Sequence, residues 1–238
     1  MTFNSGDRVG ARTAIPQVGI DQGLRAYMLR VYNYMAGALA ITGVVAYFTA
    51  ASGLLAAIVG TPIYWIVVLA PLGFVLFLSF RIQSMSLGTA QATFWGYAAI
   101  MGLSMASLFL IYTGVSIAEV FFITAATFLS VSLYGYTTKR DLSGFGHFMF
   151  MGLIGIIIAS VVNFFLKSPA IYFAVSIIGV LVFTGLTAWD TQRIKEMYWA
   201  GDSDVIAGKK AIMGALALYL DFINLFVMMM QLMGNRRS

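Results

Sequence analysis

The sequence predicts an all-α integral membrane protein with seven transmembrane helices. Hydrophobic residues make up 61% of the 238-residue chain and charged residues only 10%, whereas a soluble domain has about 25% charged residues. The mean hydropathy is +0.90. The apolar residues form repeated runs of about 20 residues, the length of a membrane-spanning helix, and not the alternating segments of about 10 residues that form membrane barrels.

Seven apolar runs are predicted to cross the membrane, with short connections between most of them. Their predicted bounds are 31–51, 62–80, 92–112, 117–136, 148–166, 169–189 and 211–233. Residues 26–235 are therefore predicted to form one transmembrane domain. Residues 1–25 mix charge, Gly and Pro without an apolar signal-peptide core, and we predict a mobile cytoplasmic tail there. The segment 21–30 is predicted to begin an interfacial helix that continues into the first span.

Basic residues are distributed unequally between the two sides of the predicted bundle. If the N-terminus is cytoplasmic, all of the 14 basic residues except Lys167, Arg236 and Arg237 lie in segments that face the cytoplasm. The positive-inside rule therefore predicts a cytoplasmic N-terminus, and an odd number of spans places the C-terminus outside. The last span leaves one alternative open, because a re-entrant segment with both ends inside would also suit its central Asp221 and the terminal arginine pair.

Several classes of function are disfavoured by composition. The chain has no cysteine, and its single histidine, His147, cannot form a zinc site alone. The net charge of +5 is spread through the loops, which indicates membrane topology and not nucleic-acid binding. An intramembrane aspartyl protease would use two aspartates, but no matching signature is present. We therefore expect no enzymatic activity and no cofactor, with the lipid bilayer as the main partner.

Asp221 is the most informative residue of the chain. It is the eleventh position of the run 211–233, which contains no other charged side chain. A carboxylate at the middle of a spanning helix costs about 3 kcal/mol on insertion scales, so such residues usually handle ions, protons or substrates. Gly214 and Asn224 share its helical face, and Asn224 offers a nearby amide. The alternative is a structural carboxylate satisfied by one neighbour.

A second aspartate, Asp190, closes the run 169–189, and Arg81 ends the second span on the same side. An Arg81–Asp190 ion pair is predicted there, because each charge would relieve the desolvation of the other. The alternative places Asp190 simply at the water boundary. Asp221 lies roughly 15 Å up its helix from the inner edge, so residue counting does not bring the two aspartates together. If they did approach, both could not ionise comfortably and a proton would be shared.

Three segments resemble a known family. The segment 128–143, which contains YGYTTKRDLS, is similar to the inner loop of bacterial Bax inhibitor proteins, members of the transmembrane Bax inhibitor motif family. The segment GLTAWDTQRIK, residues 185–195, resembles the second signature of that family, where tyrosine is commoner than Trp189. The segment LYLDFINLF, residues 218–226, resembles its last helix. The resemblance covers about residues 20–235.

The resemblance implies a fold in which the last helix is enclosed by the other six. It also implies a pH-sensitive calcium leak across a bacterial inner membrane, with calcium and protons as the ions handled. The di-aspartyl pH sensor of the family corresponds to Asp190 and Asp221, which are also the candidate calcium path, and Arg81 is the basic residue of the second span. Thr191, Arg193 and Asn224 are candidate supporting residues. Some bacterial relatives instead restrain a membrane-bound AAA protease, which is the alternative function.

Overall fold

The structure, a computed structural model, describes residues 17–237, apart from the side chains of residues 17–21, 55 and 56. The helices of this part of the chain are α1 (Gln17–Ala51), α2 (Leu54–Ile58), α3 (Pro62–Arg81), α4 (Leu87–Met105), α5 (Leu108–Ile111), α6 (Gly114–Thr137), α7 (Ser143–Leu166), α8 (Pro169–Glu196) and α9 (Asp204–Met233). A 3₁₀ turn, Ile82–Ser84, follows α3. Seven helical segments are long and apolar enough to cross a membrane. The predicted all-α, seven-span fold is confirmed.

Helices on the side assigned to the cytoplasm extend past the apolar runs. α1 begins at Gln17, so residues 17–25 of the predicted tail are helical, while residues 1–16 lie outside the described residues. α8 continues to Glu196, and its last turn carries Arg193 and Lys195, cations that favour a helix C-terminus. α9 begins at Asp204, after a cap in which Ser203 accepts from a backbone N–H. Charged residues therefore end the apolar pattern without ending the helices.

The last helix, α9, occupies the centre of the bundle. In its most apolar stretch 67% of the residues are buried within the protein, against 11% for α3 and 6% for α7. α9 packs mainly against α1, α4, α6 and α8, whereas α3 packs on α4 and α7 on α8. The central position of the last helix is confirmed, and α3 and α7 form an outer layer.

α9 also crosses the whole bundle. Near its start, Lys210 Nζ donates to the carbonyl oxygen of Met197 at 3.0 Å, beside the end of α8. Past its other end, the N–H of Thr113 donates to the Asn235 carbonyl at 3.1 Å, and the N–H of Asn235 donates to Ser116 Oγ at 2.9 Å. A helix of 30 residues is about 45 Å long, and the hydrocarbon core is about 30 Å thick. The re-entrant alternative is wrong.

Gly135 allows α6 to approach the backbone of α8. A Cβ atom at this position would collide with the carbonyl oxygen of Ala188. The buried face of α6 also carries Thr124, Phe128 and Ser132 at intervals of four residues, so this face turns towards the centre of the bundle. The crossing point lies two residues before Asp190 along α8.

We predict that Gly135→Ala lowers the free energy of unfolding by about 1–3 kcal/mol, because an added methyl group overpacks the crossing with α8. Unfolding of the purified protein by titration with sodium dodecyl sulfate, followed by tryptophan fluorescence, measures the change. Gly155→Ala is the matched control, since a Cβ there meets nothing within 4 Å. Equal stability of the two variants would contradict the close crossing.

Candidate functional site

The contact between α8 and α9 follows one face of each helix. On α8, Gly179 lies against Met228 and Ile194 lies against Gly214 of α9, with a Cβ at either glycine meeting the facing side chain at 2.8–2.9 Å. The two α9 residues, Gly214 and Met228, are fourteen positions apart, and Asp221 stands midway on the same face. The antiparallel register brings position 190 of α8 to within about one turn of Asp221.

The side chains of Asp190 and Asp221 are neighbours at this contact between α8 and α9. Two carboxyl groups can hydrogen-bond to each other only when one carries a proton, because ionised carboxylates accept and do not donate. Asp221 is buried, and its Oδ2 has no hydrogen-bond partner among the polar side chains and backbone groups that the structure describes. The side chain of Asp190 is 15% exposed. The site is therefore a pair of neighbouring carboxyl groups with Asp221 as its inner member.

A chain of hydroxyl groups joins α1, α6 and α8 beside this pair. Tyr32 Oη lies 2.6 Å from Ser132 Oγ, which lies 2.9 Å from Thr191 Oγ1. Thr191 donates to the carbonyl oxygen of Thr187 at 2.7 Å, so Ser132 donates to Thr191 and Tyr32 donates to Ser132. The Thr191 side chain thus points towards α6. Its bond with Ser132 restrains rotation of α8 about the helix axis, and Thr191 does not act as a ligand of the carboxyl groups.

The cation at the pair is Arg193. Its Nη1 lies 3.9 Å from Asp190 Oδ1, and the guanidinium also lies over the Trp189 ring at 5.5 Å from the ring centre. The side chain of Arg193 is 63% exposed, so the pair contributes about 1 kcal/mol or less. Solvent reaches Asp190 from this side.

The predicted Arg81–Asp190 ion pair is wrong for this conformation. The ion pairs among the described residues are Arg193–Asp190 and Lys210–Asp202. Arg81 is exposed at the end of α3, and α3 packs on α4 and not on α8. Asp190 instead uses a cation from the next turn of its own helix, three residues away. A role for Arg81 in gating stays a prediction.

The side-chain amide of Asn224 forms its hydrogen bond within its own helix. Its Nδ2 donates to the carbonyl oxygen of Leu220, four residues earlier in α9, at 2.8 Å. The predicted shared face with Asp221 is present, but the amide does not donate to the carboxyl oxygen Oδ2.

Comparisons with known proteins agree with this architecture. The family described as inhibitor of apoptosis-promoting Bax1 matches residues 24–238. The chain belongs to this Bax inhibitor family. Protein RP147 of Rickettsia prowazekii is 52% identical over 227 residues, which cover 92% of this chain and 93% of the relative. Inner membrane protein YbhL of Escherichia coli strain K12 is 48% identical over 219 residues, covering 90% and 94%. A protein of Caulobacter vibrioides is 43% identical over 247 residues, covering 99% of each.

The chain is therefore a multi-pass membrane protein of the Bax inhibitor family. The loop between α6 and α7, which corresponds to the predicted inner loop, is fastened to α8 two residues past Asp190. Gln192 Oε1 accepts from the N–H of Leu142 at 2.8 Å, and Gln192 Nε2 donates to the Arg140 carbonyl at 2.8 Å. Sequence reasoning missed Gln192, Ser132 and Tyr32. The sequence pattern that could have identified such residues is a polar side chain on the buried face of an otherwise apolar helix, as at Ser132.

The same loop is held at two further points. Lys195 Nζ donates to the Tyr136 carbonyl at 2.9 Å. The hydroxyl and then the backbone N–H of Ser143 donate to the Asp141 carboxylate, and these hydrogen bonds hold the pKa of Asp141 below its usual value. Asp141 is fully exposed, so it remains an ionised surface group at neutral pH.

The pair does not form a complete calcium site. No three His, Asp or Glu side chains come together within the described residues. Calcium takes six to eight oxygen ligands, and two carboxylates supply at most four. The candidate calcium path at Asp190 and Asp221 stays a prediction, with the pair acting as a point of transit and not as a resident metal centre.

We predict that the shared proton is visible by infrared spectroscopy. At neutral pH the wild-type protein should show one protonated carboxyl stretch that shifts in D₂O, because the bond between Asp190 and Asp221 requires one proton. The band should disappear in Asp221→Asn. It should shift in Asp190→Asn, where Asp221 remains a buried carboxylic acid without its partner. It should be unchanged in the control Glu119→Gln, which changes an exposed carboxylate. A spectrum in which both aspartates absorb as carboxylates would contradict the pair.

We predict that Gln192→Leu loosens the inner loop. The substitution leaves the Leu142 N–H and the Arg140 carbonyl without their partner. The loss at the buried Leu142 N–H costs about 1–3 kcal/mol, while the exposed Arg140 can bond to water instead. Limited trypsin digestion should then cut faster at Lys139 and Arg140. Gln83→Leu, at an exposed glutamine on the same side, should leave the rate unchanged. Equal rates in the two variants would contradict the fastening role.

Proposed function

We propose that this protein is a pH-sensitive leak channel for cations, calcium above all, in a bacterial inner membrane. The observation that carries the proposal is the buried carboxyl pair between α8 and the central helix α9. A proton shared between these two groups would make the packing at the axis of the transmembrane bundle depend on pH. The inner-membrane location is supported by the relative YbhL, an inner membrane protein.

The described conformation has the properties of a closed state. α9 fills the centre of the bundle, and its Leu218, Tyr219 and Leu225 have no exposed surface. The Tyr219 hydroxyl is also tied to Thr42 of α1 at 2.7 Å. An ion can cross only if α9 and its neighbours move apart.

Protonation controls the contact through the charge of the pair. With one proton, the carboxyl–carboxylate bond is charge-assisted, and such bonds are about twice as strong as neutral ones. Loss of that proton leaves two adjacent negative charges, which repel. Gain of a second proton removes the charge, together with the attraction to Arg193. The closed conformation is therefore most stable while the pair holds one proton. Gain of a second proton and loss of the first are properties of the pair and not of either aspartate alone.

The chemistry of the pair favours cations. The site carries negative charge and oxygen atoms, and hard oxygen ligands suit calcium. The hydroxyls of Tyr32, Ser132 and Thr191 add oxygen groups beside it. When α8 and α9 separate, these groups would line the inner half of the path, and a fully or partly ionised pair would attract cations and repel anions.

The test is calcium flux into liposomes that contain the purified protein and a calcium dye. Wild-type flux should be lowest where the pair holds one proton and should rise on acidification by about tenfold or more, because a charge-assisted hydrogen bond contributes about 1.5–3 kcal/mol. Asp190→Asn and Asp221→Asn should each remove the pH dependence. Glu119→Gln should retain it.

Flux that is indifferent both to pH and to Asp221→Asn contradicts the channel. The alternative function, a regulator of a membrane-bound AAA protease, predicts a different result. In that case the aspartate pair only holds the bundle together, the protease co-purifies after crosslinking, and Asp221→Asn unfolds the protein without altering any leak.

A further inference from the structure

A cavity of about 700 Å³ lies between α1 and α6. Its walls are apolar, and its floor is Phe222 of the central helix. Three of its lining residues, Leu29, Leu129 and Leu133, are 52%, 62% and 62% exposed on the outside of the bundle. Because both helices span the membrane, the cavity opens sideways towards lipid. Its volume falls in the range of small-molecule sites, about 300–1,000 Å³.

The cavity has a polar end. Arg25, near the start of α1, and Tyr136, near the end of α6, line it on the side of the inner loop. Arg25 is exposed, and no acidic residue belongs to the lining. The site therefore combines a long apolar slot with a single cation at the membrane surface. An anionic lipid is complementary to this site, because it has a long apolar chain with a negatively charged group at one end.

We propose that this cavity binds one acyl chain of an anionic phospholipid, with the lipid phosphate against Arg25. A guanidinium matches two phosphate oxygens at once, which an exposed lysine or a hydroxyl does not. The basic residues of the inner segments also face the leaflet in which anionic lipids attract cations. The bilayer supplies the ligand directly, because the opening faces it.

A bound chain would contact two elements of the aspartate site. Tyr32 lines the cavity and begins the hydroxyl chain to Thr191. Phe222 follows Asp221 in α9 and forms the floor. A lipid in the slot fills the gap that the side chains of α1 and α6 leave between them. Occupancy therefore stabilises the described conformation, and this claim does not depend on whether the protein conducts ions.

Native mass spectrometry of the delipidated protein tests the proposal. Phosphatidylglycerol and phosphatidylcholine with the same acyl chains are titrated separately, and the first lipid bound per protein is counted. Wild type should prefer phosphatidylglycerol by about fivefold, the effect of one basic residue at an anionic surface. Arg25→Gln should remove the preference. Arg30→Gln, an exposed arginine of the same helix that does not line this cavity, should keep it.

A second variant tests the apolar slot. Ala36 lines the cavity and is exposed, so Ala36→Trp should fill the space without disturbing the core, and should weaken binding of both lipids. Thermal unfolding without lipid checks that each variant is folded. Equal binding of the two lipids by wild type, equal losses in Arg25→Gln and Arg30→Gln, or unchanged binding by folded Ala36→Trp would each overturn the proposal.

Discussion

The packing of α8 against the central helix has to accommodate two neighbouring carboxyl groups, Asp190 and Asp221. Asp221 is buried among apolar side chains, and its Oδ2 receives no donor from the described residues. An isolated ionised carboxylate at such a position would be strongly destabilising. A proton shared with Asp190 would reduce that cost, because the pair would carry one charge in place of two while the outer carboxyl group keeps contact with solvent and Arg193. The proposed sharing of a proton would make the contact sensitive to proton concentration.

The surrounding residues hold this pair in place. Close contacts at Gly214 and Gly179 set the register of α8 on α9, and Gly135 brings α6 against the α8 backbone. The hydroxyl chain through Ser132 limits rotation of α8, while Gln192 fastens the inner loop. These contacts define the positions of α6, α8 and α9 around the pair, so a change in its protonation would act on a closely packed site.

The sequence predicted the seven spans and the importance of Asp221, because a charge in a long apolar run needs no alignment to be noticed. Residue counting did not bring Asp190 to Asp221, and only the family resemblance implied that the two residues form a pair. Hydropathy placed the end of the sixth span at Trp189, whereas α8 continues to Glu196, so counting from the apolar boundary misjudged the relative heights of the two residues. The register that joins them comes from glycine contacts between helices, and sequence spacing alone does not reveal which glycines face each other.

The Arg81–Asp190 pairing failed for a related reason. Span ends on one side of a membrane need not be neighbours, and α3 lies in the outer layer on α4.

The most direct measurement is the separation of the two carboxyl groups in a high-resolution experimental structure at neutral pH. The account predicts an oxygen–oxygen distance between Asp190 and Asp221 of about 2.5–2.7 Å, as for a bond between a carboxylic acid and a carboxylate. Two carboxylates separated by more than about 3.5 Å, each with its own hydrogen-bond donors or water molecules, would contradict it.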